Sequence, residues 1–154
     1  MVLNPVETTR RETLTLAAVA GLAAFLAPKM AMADEQMLAA EIKKLYGDKK
    51  LDSGKIKLDV PEIAENGLVV PVNVEIESPM TDSDYVKAVH IFADGNPMPG
   101  VCSYKFTPDC GKASASTRMR LAQTQNIVCI AEMSNGNLYT TKSNVKVTIG
   151  GCGG

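Results

Sequence analysis

The hydrophobic pattern over residues 34–46 predicts one amphipathic helix. Within 34–46, the apolar residues Leu38, Ile42 and Leu45 recur at helical spacing, and charged residues occupy the other faces. Gly47 follows at the position where a helix C-cap is expected, because glycine adopts the left-handed conformation without strain. We therefore predict a short N-terminal helix that ends at residue 46.

After Gly54 the pattern changes to the two-residue alternation of β-strands. Seven alternating or apolar segments are separated by turn residues, at 56–60, 70–76, 85–93, 101–106, 113–121, 127–133 and 138–149. Asn135-Gly136 is a strong hairpin turn. Pro71 favours an edge strand or a bulge, because proline cannot donate a ladder hydrogen bond.

The number and spacing of these segments predict the fold class. About seven strands with a turn every 8–12 residues are typical of an immunoglobulin-like antiparallel β-sandwich. Segments 101–106 and 113–121 are predicted to form the two arms of a hairpin around the turn at 107–111. We expect one mostly β domain over 34–149, with a short N-terminal helix and a C-terminal arm.

Composition and charge exclude several classes of function. The chain has 154 residues, with 16 basic and 17 acidic side chains and a net charge of −1, so it lacks the basic excess of a nucleic-acid-binding protein. His90 is its only histidine, which argues against histidine metal sites and Ser–His or Cys–His catalysis. We expect no catalytic residue, no metal and no cofactor.

Residues 1–33 have the features of a cleaved export signal. Arg10 and Arg11 precede an apolar stretch over 14–27, which is shorter than the roughly 20 residues that span a membrane. Ala31-Met32-Ala33 supplies a small-x-small cleavage site. The arginine pair resembles a twin-arginine signal, with an ordinary Sec signal as the alternative. We predict a periplasmic protein without a membrane anchor, and the cleavage position stays open.

The sequence ends in Gly-Gly-Cys-Gly-Gly, residues 150–154. Glycines lose the most conformational entropy on ordering, so Gly150, Gly151, Gly153 and Gly154 are predicted to form a flexible arm that carries Cys152. Three extended residues beyond the last strand give that thiol a reach of about 10 Å. No base lies near Cys152 in the sequence, so we interpret it as a point of attachment and not as a catalytic nucleophile.

Three further cysteines lie within the strand region. Cys129 stands in an apolar run and is predicted to be a buried thiol. Cys102 and Cys110 are placed too far apart by the predicted hairpin to form a disulfide. A disulfide between Cys102 and Cys129 across the sandwich remains open at this point.

Four segments together resemble the SoxY family, the carrier subunit of the bacterial Sox thiosulfate-oxidising system. They are the terminal GGCGG, HIFADGNPMP at 90–99, STRMRLAQTQNIV at 116–128 and AEMSNG at 131–136. The three cysteines in the strand region depart from the usual family pattern, in which the tail cysteine stands alone.

The resemblance implies a covalent substrate carrier that is not itself an enzyme. Thiosulfate would be conjugated to Cys152 by a c-type haem enzyme, and a dimetal hydrolase would release sulfate from the resulting S-thiosulfonate. A sulfane dehydrogenase is a further possible partner, and a SoxZ-like subunit would complete a heterodimer. The resting adduct, the fate of the sulfane sulfur and the set of Sox enzymes stay open.

Three other classes of function compete with the carrier hypothesis. A structural or interaction β-sandwich with an incidental tail cysteine requires no chemistry at Cys152. A thiol-dependent oxidoreductase lacks a C-x-x-C pair. A ubiquitin-like sulfur carrier would end in Gly153-Gly154, but it would need adenylation by ATP, which export makes unavailable.

Overall fold

A computed structural model describes residues 30–149 of the chain. The predicted export signal up to residue 29 and the glycine-rich tail at 150–154 lie outside this range. In the compact unit that contains the described residues, one α-helix precedes a region of strands.

The helix, α1, comprises Met30–Tyr46, so it begins four residues before the predicted start and runs across the predicted cleavage site. Its end agrees with the sequence prediction. Gly47 has a φ of +67°, and its amide donates to the carbonyl of Lys43 at 2.8 Å. This is the left-handed C-cap that glycine favours.

The buried face of α1 differs from the predicted one at a single position. Leu38 and Tyr46 are buried and Ile42 is half-buried, whereas Leu45 is exposed. Positions 38, 42 and 46 follow the four-residue spacing of one helix face. The prediction for Leu45 was therefore wrong, because Tyr46 completes the apolar stripe instead.

Nine strands follow α1 within the described residues. They are β1 (Leu51–Ser53), β2 (Ile56–Asp59), β3 (Ile63–Ala64), β4 (Val70–Ile76), β5 (Val86–Ala93), β6 (Gly100–Lys105), β7 (Ala113–Met119), β8 (Gln125–Met133) and β9 (Leu138–Val147). All seven predicted strands are present. The two short strands β1 and β3 were not predicted, since each is too short to show a periodic pattern.

The strands form two sheets. The larger has the order β1-β9-β8-β5-β6, with β3 also paired to β9, and the smaller has the order β2-β4-β7. Pairing is antiparallel except where β1 and β3 run parallel to β9. The architecture is the predicted immunoglobulin-like sandwich.

The predicted hairpin between 101–106 and 113–121 is wrong. β6 pairs with β5 in the larger sheet, whereas β7 pairs with β4 in the smaller one. The intervening segment contains a 3₁₀ turn at Pro108–Cys110 and crosses from one sheet to the other. Alternation alone could not separate a hairpin from a crossover, because both place a turn between two strands.

Pro71 lies in β4, the central strand of the smaller sheet. The pairing of β2 with β4 ends opposite Asn73, so at Pro71 the strand has a neighbour only on the β7 side. The proline therefore stands at a local edge of the sheet, where its missing N–H leaves no partner strand unsatisfied.

Two clusters of buried side chains hold the sandwich together. The main core lies between the sheets and includes Ile91, Leu121 and Ile127. The second lies between α1 and the outer face of the larger sheet, where Tyr46 packs with Phe92 and other apolar side chains. No helix of the described range is both long and apolar enough to cross a membrane.

The strand directions define two ends of the sandwich. At the tail end lie the loops 65–69, 94–99 and 120–124, together with the last residues of β9. At the far end lie the loops 77–85, 106–112 and 134–137. The tail predicted to carry the reactive thiol follows directly from the tail end.

Candidate functional site

The residues predicted to carry the chemistry lie outside the described range. Cys152 and the glycines at 150, 151, 153 and 154 all follow Ile149, the last described residue. What the structure defines is the point from which they depart. We call residues 147–149 the tail root.

The tail root is held to the sandwich on two sides. On one side, Ala64 of β3 pairs with Val147, and the Thr148 amide donates to the Ala64 carbonyl at 3.1 Å. On the other side, the Val147 amide donates to the Thr124 hydroxyl at 2.9 Å. The residues immediately before the tail are therefore fixed by contacts with both neighbouring segments.

Two further hydrogen bonds extend this attachment to the end of the described chain. The Thr148 hydroxyl donates to the carbonyl of Glu65 at 2.8 Å. The Gly67 amide donates to the carbonyl of Ile149, also at 2.8 Å. The attachment of β9 thus continues two residues past its last strand position.

A polar network joins two loops at the tail end. Gln125 is buried, and its side chain accepts from the Gly95 amide at 2.7 Å and donates to the Asn96 side chain at 2.9 Å. Asn96 also accepts from the Ala122 amide and donates to the Arg120 carbonyl. The loops at 94–99 and 120–124 are therefore locked to each other.

Asp94 continues this network beside the larger sheet. Its carboxylate accepts from both the amide and the side chain of Asn126, at 2.8 and 2.7 Å. Segments 90–99 and 116–128, which resemble the SoxY family in sequence, meet in space at this network. The two family-like segments therefore form one structural feature, the polar network at the tail end.

Exposed apolar side chains are concentrated at the tail end. Seven large apolar residues are exposed among residues 35–149, the part of the chain whose side-chain burial is described. Four of them lie in the tail-end segments, one lies on β3, which pairs with the end of β9, and two lie on α1. The first five are Ile63, Leu68, Val69, Met98 and Ile149, of which Met98 is 77% exposed. None of the seven lies in the far-end loops.

Two of the other cysteines are withdrawn into the sandwich. Cys129 is fully buried, and loss of solvation raises the pKa of its thiol to about 12. Cys102 is half-buried, and burial likewise raises the pKa of its thiol. Both therefore hold little thiolate at neutral pH and are poor nucleophiles.

Cys102 and Cys129 cannot form the disulfide that the sequence left open. Both lie in the larger sheet, and both are paired with Ile91 of the intervening strand β5. Two strand spacings separate their Cα atoms by about 9–10 Å, beyond the reach of a disulfide. The described cysteines are all free, because Cys102, Cys110 and Cys129 lie apart.

Cys110 is exposed but lies at the far end. The turn that contains it leads into β7, whose first residue pairs with Ile76 at the far end of β4. The length of β4 alone, seven residues, places about 20 Å between the two ends. A thiol three residues beyond Ile149 has a reach of about 10 Å, too short to meet Cys110 of the same chain.

His90 is a structural residue of β5. Its Nδ1 forms a hydrogen bond with the Ser103 hydroxyl at 2.7 Å, and its ring lies perpendicular to that of Tyr46, with 5.7 Å between the two centroids. Burial lowers the pKa of His90, although the carboxylate of Glu132 opposes this effect. Among the side chains described, those of residues 35–149, no cluster of three or more histidines, cysteines, aspartates or glutamates could hold a metal ion.

The residues that order the tail end do not stand out in the sequence. Thr124, Gln125 and Asn96 are noticed there only as parts of segments that resemble a family. The available clue was the polar run Gln123-Thr124-Gln125-Asn126 immediately before an apolar strand. Its partners are distant in the sequence, so the run alone indicates a loop and not the contacts that the loop makes.

Comparison with known proteins gives a consistent family assignment. The model of the family "Sulfur oxidation protein SoxY" matches residues 42–152. The solved structure of the sulfur carrier protein SoxY from Chlorobium limicola f thiosulfatophilum is 35% identical, with a TM-score of 0.63. The alignment covers 75% of this chain and 99% of that one. No curated protein matches the chain at a significant level.

More distant structures share the fold alone. Superoxide reductase (neelaredoxin) from Ignicoccus hospitalis is 15% identical with a TM-score of 0.55, over 69% of this chain and 85% of that one. A putative superoxide reductase from Thermotoga maritima is 18% identical with a TM-score of 0.52, over 69% and 89%. At such identities a shared sandwich says nothing about shared chemistry.

The family model spans most of the chain, including all nine strands and the position of the tail cysteine. The SoxY structure is 35% identical to this chain, which is well above the identities of the structures that share the fold alone. The chain belongs to the SoxY family of sulfur oxidation proteins.

Proposed function

We propose that this chain is a periplasmic carrier of sulfur intermediates, which are attached covalently to Cys152 and processed by enzymes supplied in trans. The observation that carries the proposal is the membership of the SoxY family, together with the likeness to a protein described as a sulfur carrier. The glycines around Cys152 would serve as the flexible arm that presents the adduct.

The environments of the other thiols support Cys152 as the attachment site. Cys129 and Cys102 are shielded by the sandwich, and their thiol pKa values are raised by burial. Cys110 is accessible but lies at the far end, away from the apolar surface around the tail root. Selective loading of Cys152 is therefore favoured by both accessibility and position.

The proposed chemistry balances without a catalytic group on the carrier. Conjugation joins the Cys152 sulfur to the outer sulfur of thiosulfate and releases one proton and two electrons, which the haem enzyme accepts. Hydrolysis then adds water across the sulfur–sulfone bond, which yields sulfate, two protons and a persulfide anion on Cys152. A sulfane dehydrogenase or a sulfur acceptor would consume that persulfide.

The tail end is the surface on which these enzymes would dock. A reach of about 10 Å from Ile149 requires the body of any processing enzyme to approach the tail root closely. The exposed side chains of Ile63, Leu68 and Val69 lie around that root. Contact with them would add apolar burial to the recognition of the arm itself.

Export and pairing complete the proposal. Residues 1–33 would direct the protein to the periplasm, most simply by the twin-arginine route, which carries folded proteins. A SoxZ-like subunit would form a 1:1 heterodimer with this chain before export. Co-purification after co-expression tests the heterodimer, and a stable monomer indifferent to the partner would contradict it.

Intact-mass analysis of the protein tests the attachment site. The chain is expressed with its own signal and a SoxZ-like subunit, incubated with thiosulfate and the conjugating haem enzyme, and then measured without reductant. We expect the mass of a thiosulfonate or persulfide adduct on the wild-type chain and its complete loss in Cys152→Ser.

Cys110→Ser is the matched control, because it removes another exposed thiol by the same chemical change. That variant should load as the wild type does. An adduct that persists in Cys152→Ser, or one that disappears in Cys110→Ser, would contradict the proposal. A wild-type chain that loads nothing at all would favour a structural or interaction module.

A further inference from the structure

The backbone pairing between β8 and β9 stops before β9 ends. Its last pair joins Gln125 to Val145, yet β9 continues to Val147, and ordered contacts continue to Ile149. Beyond Val145, β8 offers no backbone group that could form a hydrogen bond with β9 on that side.

The Thr124 hydroxyl takes the place of the missing strand. It accepts from the Val147 amide at 2.9 Å and lies 3.4 Å from the Val147 carbonyl, to which it can donate. One side chain thus contacts both polar groups of a single backbone residue, as a paired strand would. On the opposite side, the Thr148 hydroxyl donates to the carbonyl of Glu65 at 2.8 Å.

We propose that the hydroxyls of Thr124 and Thr148 are positioning groups that fix the point at which the tail leaves the sandwich. They hold residues 147–149 together with two backbone hydrogen bonds, from Thr148 to Ala64 and from Gly67 to Ile149. Three residues, 150–152, then lie between the tail root and the Cys152 sulfur. The inference rests on the proposed carrier function, because only then does the length of the free arm affect a reaction.

Arm length matters because an enzyme must confine the arm in order to reach its adduct. Complete release of residues 147–149 would double the segment beyond the fixed root from three residues to six. This sets the upper limit of the effect, because two backbone hydrogen bonds to the tail root remain when the hydroxyls are removed. Each doubling of a flexible segment costs about 0.6 kcal/mol of closure free energy, which corresponds to roughly a two- to threefold loss of productive encounters. Chemistry after docking would be unaffected.

Amide hydrogen exchange of the full heterodimer tests the structural part. Thr124→Val keeps the shape of the side chain and removes its hydroxyl, so the sandwich should retain its melting temperature. A net hydrogen bond of about 0.5–1.5 kcal/mol predicts roughly two- to tenfold faster exchange at Val147. Thr124→Ser, which keeps the hydroxyl, should restore the wild-type exchange rate.

A matched control lies on the same strand. Thr140 and Thr141 are half-buried residues of β9, remote from the tail root, and the Thr140 hydroxyl also donates to a backbone carbonyl, that of Cys129, at 3.2 Å. Thr140→Val/Thr141→Val removes the same chemical groups as Thr124→Val/Thr148→Val. It should leave the exchange of residues 147–149 unchanged.

Sulfate release tests the functional part. In a Cys110→Ser background, Cys152 is loaded chemically with tetrathionate, whose central sulfur–sulfur bond is attacked by the thiolate with loss of thiosulfate. Release of sulfate by the dimetal hydrolase is then followed. We expect Thr124→Val/Thr148→Val to lower kcat/KM by up to about two- to threefold with kcat unchanged, and the control pair to match the background protein.

The outcomes separate this inference from the proposed function. Unchanged exchange at residues 147–149 in the double variant would overturn the positioning role, and so would faster exchange with an unchanged kcat/KM. If the background protein gains no adduct on Cys152 from thiosulfate and the conjugating haem enzyme, the carrier function itself fails, and the positioning role fails with it. A fall in kcat rather than in kcat/KM would also overturn the inference.

Discussion

The two ends of the sandwich are built differently, although they belong to the same nine strands. At the tail end, side chains join loops that are distant in the sequence, as Asn96 and Gln125 do, and four large apolar residues are exposed, with a fifth on β3 beside them. At the far end, most side-chain hydrogen bonds stay within the loop at 78–84, and none of the exposed large apolar residues lies there.

This difference favours the tail end as the surface proposed to meet the processing enzymes. Exposed apolar area on a preorganised surface favours association, whereas exposed apolar area on a loose loop is costly to order. The tail end combines cross-linked loops with exposed apolar side chains and lies next to the tail root. The far end contains the exposed Cys110, but none of the large apolar residues that are exposed among residues 35–149 lies beside it.

The largest effect is expected when charges are introduced at the tail end. Leu68→Asp/Val69→Asp replaces two exposed apolar side chains and should lower kcat/KM for sulfate release by roughly 30-fold. Lost burial and the desolvation of two carboxylates cost about 2 kcal/mol at an interface. Steady-state kinetics with the dimetal hydrolase measure the effect, with intact mass as the check on loading.

The two exposed apolar residues of α1 provide the matched control. Met37→Asp/Leu45→Asp makes the same chemical change at residues of similar exposure, and its kinetics should stay close to those of the wild type. An equal loss in both double variants would show that the tail end is not special. Loss of the SoxZ-like subunit only in Leu68→Asp/Val69→Asp would assign the surface to the heterodimer instead.

The second test separates the two ends by stability. Gln125→Leu leaves the Gly95 amide and the Asn96 side chain without their buried partner, so we expect a loss of about 1–3 kcal/mol in the free energy of unfolding. Ser134→Ala at the far end removes a more exposed hydroxyl that bonds to the Tyr85 amide. It should cost less than about 1 kcal/mol.

Urea denaturation of each variant measures both free energies. Equal losses at the two ends would contradict the view that the polar network at the tail end is the more tightly ordered. The m-value should be unchanged in both variants, because neither substitution alters the area exposed on unfolding.

The smallest expected effect is the pH dependence of stability caused by His90. This residue lies in β5 of the larger sheet, between the two ends of the sandwich. Burial lowers the pKa of folded His90, so below its ordinary pKa of about 6.5 the unfolded chain binds the proton more readily. Stability should therefore fall as the pH drops through this window. His90→Gln should flatten this part of the stability curve, which thermal unfolding between pH 7 and 5 can measure.

A His90→Gln variant with the same slope as the wild type would contradict the predicted titration. Ser103→Ala provides the control for the hydrogen bond to Nδ1. It should shift the stability while keeping most of the pH dependence, because burial and not the serine is the main cause of the lowered pKa.

The sequence by itself determined the class of fold and supplied the proposed attachment site. Strand alternation from Ile56 onward predicted all seven long strands, since burial of one face imposes a local period of two. Gly47 marked the end of α1 for an equally local reason. The tail also needed no structure to be noticed, because four glycines around Cys152 form a contiguous pattern.

Only the tertiary structure decided which segments meet. It placed β6 and β7 in different sheets, separated Cys102 from Cys129 by a whole strand, and brought Thr124 against Val147. These facts depend on strand order and on hydrogen bonds between residues far apart in the chain. A periodic pattern reports which face of a strand is buried, but not the neighbour against which the strand lies.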